Sequence, residues 1–228
     1  MGDPVYRAVF EGPWLRRGGT VIDLGCGQGL MLALIAEARR PEASARTADT
    51  LLSEGRQEGG RCAEDGAEKA GRPAAGAPRE GRLIGIELRP KVAAIARRVL
   101  GDGAEIIAAD ARTERLPTAR TILVFDVLHM MPAADQEALL RGLVAALEPG
   151  GVLLLREADA GAGWRFQAVN IANRLKALAF GYSSNGFCFR TAAQWQTLLE
   201  TLGLGVELQP MGQGTPYGNV LLAGTKAG

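Results

Sequence analysis

Glycines recur at alternate positions in one short stretch of the chain, directly after an acidic residue. Asp23 follows the apolar or β-branched run 20–22, and Gly25, Gly27 and Gly29 come next, ahead of an apolar run. Glycine tolerates a positive φ and lets a ligand approach the backbone with no Cβ in the way. Amides at a helix start are free to donate hydrogen bonds, so this stretch predicts a strand, a ligand-binding turn and a helix. A tight turn that binds nothing is the alternative interpretation.

Two further acids follow apolar runs and could complete a site for a nucleotide-like ligand. Glu87 ends the run 83–87, where its carboxylate could accept hydrogen bonds from both ribose hydroxyls, as an acid does in dinucleotide folds. Asp110 directly follows the run 105–109. Each acid could instead be structural, Glu87 as a solvent-facing acid at a strand end and Asp110 as the cap of a turn.

Strand and helix patterns alternate along the chain, which predicts how these residues are brought together. Strands are expected at 20–24, 83–87, 105–109, 121–126, 152–157, 206–210 and 219–224. Helices are expected at 30–39, 90–100, 132–147, 164–180 and 192–202. The alternation predicts a single α/β domain with a doubly wound, mostly parallel, seven-stranded sheet. Ligands of such sheets bind at the carboxyl ends of the strands, where the strand order switches.

Residues 41–82 interrupt this alternation. They include no aromatic residue and no Val, Ile, Met or Phe, and their acidic and basic residues nearly cancel. Such a segment buries too little apolar surface to offset the entropy lost on ordering, so we expect a mobile insertion after the first helix. The insertion also explains why Glu87 lies far beyond the ~20 residues that separate the glycines from the ribose-binding acid in dinucleotide folds.

Composition and charge exclude several other classes of protein. The formal net charge is +1, so we expect no general binding to nucleic acid or to an anionic membrane. The chain shows neither an apolar run near the ~18 residues of a membrane span nor the pattern of a signal peptide. Cys26, Cys62 and Cys188 fit neither a disulfide framework nor a zinc site. We therefore expect a cytoplasmic protein with reduced cysteines.

The order of these motifs resembles that of class I S-adenosylmethionine (SAM) methyltransferases. The Asp-x-Gly-x-Gly-x-Gly spacing and the acids at the ends of the next two strands follow the order of that family. The resemblance covers about residues 18–158 without the insertion, and it implies a Rossmann-like fold with SAM as cofactor. It also implies that SAM contacts the following residues: Asp23, Gly25, Cys26, Gly27, Gly29, Glu87, Leu88, Asp110, Ala111 and Asp126.

The family implies a different role for each strand end. Glu87 is expected to bind the ribose, and Leu88 to pack on a face of the adenine ring. Asp110 is expected to accept a hydrogen bond from the adenine amino group, while the amide of Ala111 meets a ring nitrogen. Asp126 ends the fourth strand, where the family places residues near the methionine part of SAM and its methyl group, so Asp126 is also a candidate catalytic residue.

The last third of the chain resembles, more narrowly, bacterial methyltransferases of aryl-polyene and fatty-acid-like pathways. This resemblance is carried by residues 155–159, 161–166 and 214–220. It implies a small aromatic or acyl substrate of secondary metabolism, free or bound to a carrier protein, with 159–190 as a lid over it. Glu157, Trp164 and Arg165 are then the expected substrate residues. Trp164 could instead pack a lid helix, and Arg165 could be a solvated surface residue.

His129, the only histidine, is the candidate general base. A hydroxyl nucleophile must lose a proton during methyl transfer, and a histidine titrates close to the working pH. The alternative is a histidine that only packs at a helix start. Catechol-type enzymes surround a magnesium ion with acids and an Asn after the fifth strand, and this chain lacks that Asp-Asn pair, so we expect no metal.

Other functions are also compatible with parts of the pattern. A SAM-binding regulator or pseudoenzyme would keep the same cofactor residues without turnover. A nicotinamide-dependent oxidoreductase would need the third glycine one residue later than Gly29. A pure interaction module would bind neither nucleotide. The acceptor atom and the oligomeric state are left open by the sequence.

Overall fold

The computed structural model describes residues 4–15, 18–40, 81–168, 170–171, 187–212 and 217–228. The strands in these ranges are β1 Val21–Leu24, β2 Leu83–Ile86, β3 Glu105–Ile107, β4 Ala119–Phe125, β5 Leu147–Ala158, β6 Leu204–Pro210 and β7 Asn219–Lys226. The longer helices are α1 Pro4–Glu11, α2 Leu30–Ala38, α3 Pro90–Leu100, α4 Ala133–Ala146 and α5 Ala192–Thr201. Residues 164–168 and 170–171 are also helical. Nearly all of the expected insertion and the second half of the expected helix 164–180 lie outside the described residues.

The described strands form one sheet in the order β3-β2-β1-β4-β5-β7-β6. The strands from β3 to β5 pair in parallel, and β7 pairs antiparallel with both β5 and β6. The chain proceeds from β1 outward to β3 and then returns to β4 beside β1. This reversal confirms the predicted doubly wound, mostly parallel sheet. It also places the carboxyl ends of β1 and β4 at the switch point, where ligands of such sheets bind.

Apolar side chains cover both faces of the sheet, which is why its central strands are nearly unbroken apolar runs. In β4, Ile122, Leu123 and Val124 are completely buried. One face packs against α4 and α5, including the fully buried Trp195, and the other packs against α1, α2 and α3. Each fully buried aliphatic side chain stabilises the fold by roughly 1.5–3 kcal/mol. The carboxyl ends of the strands are therefore fixed in place by a continuous core.

Helix α1 has no counterpart among the elements predicted from the sequence. Val5 and Val9 lie four residues apart, so they share one face of this helix, and both are buried. They belong to the same apolar cluster as Trp14, Val21 and Met31. Helix α1 is thus packed beside β1 and α2, close to the glycine turn.

A helix was expected to reach residue 147 and the next strand to begin at residue 152, but β5 already begins at Leu147. Leu147 pairs with Ala119 and Val152 pairs with Thr121, so the register shifts between these two pairs. Gly150 has a φ of 68°. The Pro-Gly-Gly sequence therefore produces a local irregularity inside a strand, in the manner of a β-bulge, instead of ending the pairing.

Candidate functional site

The three glycines of the turn after β1 have positive φ angles of 76°, 56° and 87°, but each serves a different purpose. A Cβ on Gly25 would collide with Val127, and a Cβ on Gly29 would lie 2.7 Å from Leu100 Cδ1. A Cβ on Gly27 would have no described atom within 4 Å. Gly25 and Gly29 thus allow close packing of protein on protein, whereas Gly27 leaves open space at the switch point.

Glu87 is bound to the glycine turn directly. The Gly27 amide donates to Glu87 Oε2 at 3.0 Å, and Arg89 donates to Oε1 through its backbone N at 3.0 Å and its Nε at 2.7 Å. Burial acts to raise the pKa of Glu87, but the hydrogen bonds from Arg89 and Gly27 outweigh it and leave this pKa below its ordinary value. The structure therefore brings an ionised carboxylate to the turn, at the strand end where the sequence predicted it.

Asp23 is 4% exposed and lies at the end of β1. Burial, together with the charge of Glu87, raises the pKa of Asp23 to about 7. Burial and the same two carboxylates raise the pKa of the neighbouring Cys26 thiol to about 12. The Cys26 thiol is therefore protonated at neutral pH and cannot act as a thiolate nucleophile.

A cavity of about 250 Å³ opens between α1, the glycine turn and the ends of β4 and β5. It is lined by Val5, Tyr6, Asp23, Gly25, Cys26, Gln28, Leu30, Met31, Phe125 and Arg156. Arg156 is 9% exposed, forms an ion pair with Asp126, and places its guanidinium 5.7 Å from the centroid of the Phe125 ring. The cavity thus combines a buried carboxylate and a buried guanidinium with apolar walls.

Of these lining residues, only Asp23, Gly25 and Cys26 were predicted to be site residues; the other seven, which include Val5, Tyr6 and Arg156, were not. Val5 and Tyr6 belong to the unpredicted helix α1, whose amphipathic spacing was the available signal. Arg156 directly follows the apolar run 152–155 and lies inside β5. A charged residue in a buried strand is unusual, and this was the available signal.

The predicted adenine-binding residues lie at the next strand ends, outside the lining of this cavity. Asp110 Oδ1 accepts from the Arg112 amide at 3.0 Å, and Arg112 also bridges to Asp135 at 2.8 Å. Hydrogen bonds from Arg112 lower the pKa of Asp110. Asp110 therefore caps a turn, which was the structural alternative to a role in adenine binding. The hydrogen bonds from Arg112 also hold its carboxylate at the end of β3. Leu88 is 63% exposed, and Ala111 is half-buried.

Asp126 is the only non-glycine residue with a positive φ in the described part of the chain, at 57°. Such a conformation costs about 1–3 kcal/mol and persists only where the surroundings enforce it. Here the Asp126 amide donates to the Arg156 carbonyl at 2.9 Å, and its half-buried carboxylate pairs with the Arg156 guanidinium. Backbone strain is therefore located at the end of β4, beside the cavity.

His129 lies in a short 3₁₀ turn, Leu128–Met130, just beyond that strain. Its Nδ1 is 2.8 Å from Glu157 Oε2, and Glu157 Oε1 accepts from the Leu128 amide at 2.6 Å. The Phe189 ring is stacked on the imidazole, with centroids 5.0 Å apart and planes 8° apart. Glu157 is 1% exposed, so it orients a histidine from within the core.

The two other expected substrate residues, Trp164 and Arg165, contact each other. Trp164 is 68% exposed, and the Arg165 guanidinium lies 5.5 Å from its ring centroid. Arg165 Nη1 also donates to the Gly212 carbonyl at 3.2 Å. Phe166, the next residue, packs edge-on against Phe189 with ring centroids 5.1 Å apart, and Phe189 is the ring stacked on His129.

The described residues contain no group of three or more His, Cys, Asp or Glu side chains placed to hold a metal ion. Among the helices in the same ranges, none is long and apolar enough to cross a membrane.

Several proteins of known structure share this fold. An O-methyltransferase family protein from Burkholderia thailandensis superposes with a TM-score of 0.64 at 18% identity, over 98% of this chain and 55% of that one. Magnesium protoporphyrin IX methyltransferase from Synechocystis, with bound SAH, gives 0.61 at 16% identity, over 99% and 83%. Human N-acetylserotonin methyltransferase, in complex with SAM, gives 0.58 at 16% identity, over 98% and 52%. The chain thus spans about half the length of two of these proteins.

Sequence comparison adds a shorter match and a family model. A carboxy-S-adenosyl-L-methionine synthase from Chromohalobacter salexigens is 38% identical over 80 residues, which is 33% of this chain and 30% of that protein. The model of the family described as "Methyltransferase domain" matches residues 4–209. The resemblance inferred from the glycine turn is therefore confirmed, and with it SAM as the cofactor. The chain belongs to the methyltransferase-domain family.

Proposed function

We propose that this protein transfers a methyl group from SAM to a small acceptor whose nucleophile must lose a proton, such as a phenolic hydroxyl. One observation carries the proposal: the buried His129 is held by Glu157 just after Asp126, the strained residue at the end of β4 that pairs with the cavity-lining Arg156. The other family residues could serve any SAM-binding protein. A histidine oriented by a carboxylate is specifically suited to removing a proton.

The residues of the cavity fit the amino-acid end of SAM. That end carries one ammonium and one carboxylate, and the cavity is lined by one carboxylate, Asp23, and one guanidinium, Arg156. The apolar lining from Leu30 and Met31 suits the methylene groups between them. The open space at Gly27 allows a ligand to approach the backbone, and the ionised Glu87 suits a ribose hydroxyl.

When bound, SAM supplies a methyl group on a positively charged sulfonium. The protein's own contribution is to bind the acceptor and to take its proton. With the Nδ1–H of His129 donating to Glu157, the lone pair is on Nε2, which is then the basic nitrogen. After Nε2 takes a proton, the Glu157 carboxylate stabilises the resulting imidazolium, as carboxylates do in comparable pairs.

The aromatic side chains near His129 support an aromatic acceptor over a purely aliphatic one. Phe187 and Phe189 both contact the imidazole ring, and Phe166 contacts Phe189. Flat rings favour offset stacking or edge-on contacts with a flat ligand. Trp164 and Arg165 are proposed to contact the acceptor from the segment 159–190, which would act as its lid. The proposal also includes a cytoplasmic location and a role in secondary metabolism, and its alternative to a free phenolic acceptor is an acyl or carrier-bound one.

Two assays test this function in sequence. Calorimetry with SAM and with NAD should give binding of SAM alone; binding of NAD alone would contradict the cofactor assignment. Transfer of labelled methyl groups from SAM should then be measured on phenolic acids, aliphatic hydroxy acids and their carrier-bound forms. We expect product with a phenolic acceptor. SAM binding without product on any acceptor would instead support a regulator or pseudoenzyme.

A further inference from the structure

Gln136 of α4 is a completely buried polar residue that no motif of the sequence identifies. Its Nε2 lies 3.0 Å from the Leu128 carbonyl, 3.2 Å from the Met131 carbonyl and 2.7 Å from the Cys188 carbonyl. Its Oε1 accepts from Arg190 Nε at 2.8 Å. The side-chain amide is therefore fully engaged by polar groups from two separate segments.

Two of these contacts are made to residues that lie before and after His129 in the sequence. Leu128 and Met131 flank the histidine within its own turn, so Gln136 fixes the backbone that carries the imidazole. Cys188 belongs to the other segment, and its amide donates to the His129 carbonyl at 2.8 Å. Its neighbours Phe187 and Phe189 contact the imidazole ring. Gln136 thus links the turn that holds the histidine to the segment that covers it.

The orientation of the Gln136 amide follows from the chemistry of its neighbours. A guanidinium can only donate, so the atom facing Arg190 must be the oxygen, and the NH₂ group then faces three carbonyls, which can only accept. A second anchor holds Arg190 itself, because its Nη2 donates to Glu137 Oε1 at 2.9 Å. Neither a carboxylate nor an apolar side chain of similar size can replace this pattern of donors and acceptors.

We propose that Gln136 is a positioning residue for His129. It keeps the turn 128–131 and the segment 187–190 in one relative arrangement, in which the imidazole is bonded to Glu157 and stacked under Phe189. The inference rests on the proposed function of His129 as the base, but the arrangement itself can be measured without turnover. Buried, fully satisfied polar networks are known to select one packing arrangement among several.

The test uses the fact that His129 is the only histidine in the sequence. In ¹⁵N-labelled protein without a purification tag, all imidazole signals come from this one residue. In Gln136→Leu, which keeps the volume but loses the hydrogen bonds, we expect the imidazole signals to shift or to split into several states. At saturating SAM, we expect turnover to fall roughly 10- to 100-fold, as for a misplaced catalytic group, with the SAM dissociation constant changed less than about twofold.

A matched control separates positioning from general loss of stability. Gln194→Ala removes the capping box of α5, close to the segment 187–190, without touching the His129 turn. It should lower the melting temperature but leave the imidazole signals and the turnover of folded protein unchanged. Wild-type imidazole signals and turnover in Gln136→Leu would overturn the proposal. If Gln136→Leu does not fold, Gln136→Glu provides the second test, because it keeps an oxygen for Arg190 but replaces the donor to the three carbonyls by a carboxylate oxygen, and unchanged imidazole signals there would overturn the proposal equally.

The outcome for Gln136 is distinguishable from the outcome for the proposed function. If His129→Ala keeps full turnover on the true acceptor, the base assignment is wrong. The imidazole signals of Gln136→Leu would still decide whether Gln136 positions the ring. If His129→Ala is inactive and Gln136→Leu is normal in both measurements, the base assignment stands and only the positioning role is wrong.

Discussion

The two halves of the site are held in place by different kinds of interaction. In the cofactor region, defined here as Asp23, the turn 25–29 and Glu87, backbone amides and positive φ angles set the geometry. In the acceptor region, defined as His129, Glu157, Gln136 and the segment 187–190, buried side chains link distant parts of the chain. His129 and Glu157 are 28 residues apart, and Gln136 and Cys188 are 52 apart.

This difference predicts a division of labour between the regions. The glycine turn leaves open space at Gly27 beside the ionised Glu87, so changes in the cofactor region should alter SAM affinity. A histidine held by buried hydrogen bonds acts on the proton of the acceptor, so changes in the acceptor region should alter the rate and leave SAM affinity nearly intact. The following variants test this division.

Gly27→Val should have the largest effect and abolish SAM binding. A branched side chain would occupy the open space beside the turn, and it resists the φ of 56° found there. Gly101→Val is the matched control, because Gly101 also has a positive φ, 51°, and no described atom near its Cβ position, but it lies beyond α3. Calorimetry should show SAM binding in the Gly101 variant only. Normal affinity in Gly27→Val would remove the cofactor from this turn.

His129→Ala should lower turnover by about 10²- to 10⁴-fold, the usual contribution of a general base, with SAM affinity nearly unchanged. The physical reason is the loss of the imidazole that Glu157 orients at 2.8 Å. Initial rates on a phenolic acceptor, corrected for the folded fraction, measure the effect. A variant that is less stable but equally fast per folded molecule would mean that His129 only packs.

Glu87→Ala should weaken SAM binding by roughly 1–3 kcal/mol, the cost of leaving a hydrogen-bonding partner unpaired. The variant removes the carboxylate that the Gly27 amide and Arg89 hold at the end of β2. Glu105→Ala, at an exposed position on β3, serves as the control and should bind SAM normally. Calorimetric affinity that is equal in the two variants would separate Glu87 from the site.

Asp23 should give a smaller, pH-dependent effect. Its pKa is raised from the ordinary value of 3.8 to about 7. Between these two pH values the folded state therefore binds more protons than the unfolded state, so the free energy of unfolding falls as pH rises toward 7. Melting temperatures of wild-type and Asp23→Asn should therefore converge at low pH and diverge as pH rises, with the variant more stable. Because an ammonium group favours the ionised carboxylate, wild-type SAM affinity should rise up to about fivefold from pH 6 to 7, below the range in which the α-amino group of SAM loses its proton. A flat profile would place the ammonium elsewhere.

Replacing residues 44–80 with a short Gly/Ser linker should have the smallest effect on either region. The segment 41–82 lacks the apolar residues that could form a core, so we predict that neither the fold nor the cofactor site depends on it. Melting temperatures with and without SAM measure both at once. Loss of the SAM-induced increase would show that the insertion takes part in binding.

The sequence was sufficient for the cofactor region because its signals are local. Positive φ angles select glycine at fixed spacing, and Glu87 directly follows a strand whose apolar run is easily recognised. The sheet could be predicted for the same reason, since buried parallel strands leave continuous apolar runs such as 121–125. Helix α1 was not predicted, because its one signal, the four-residue spacing of Val5 and Val9, is too short to distinguish a helix from a loop.

The acceptor region could be predicted only in part. His129 attracted attention as the only histidine, but its partner was assigned to the substrate. Glu157 ends a strand, and nothing in its local pattern shows that it turns inward to a residue far back in the chain. Gln136 gives no local signal, because a glutamine in the first turn of a helix is ordinarily solvated. Such contacts arise from the packing of segments distant in sequence.

A single-turnover titration against SAM concentration tests the central division most directly, because one data set yields both the SAM dissociation constant and the rate of methyl transfer. In Glu87→Ala, the dissociation constant should rise by about 5- to 150-fold, equivalent to the predicted loss in binding energy, while the limiting rate changes little. In His129→Ala, the dissociation constant should be preserved while the limiting rate falls by at least about 10²-fold. If Glu87→Ala changes only the rate, or His129→Ala only the affinity, the assignment of the two regions is wrong.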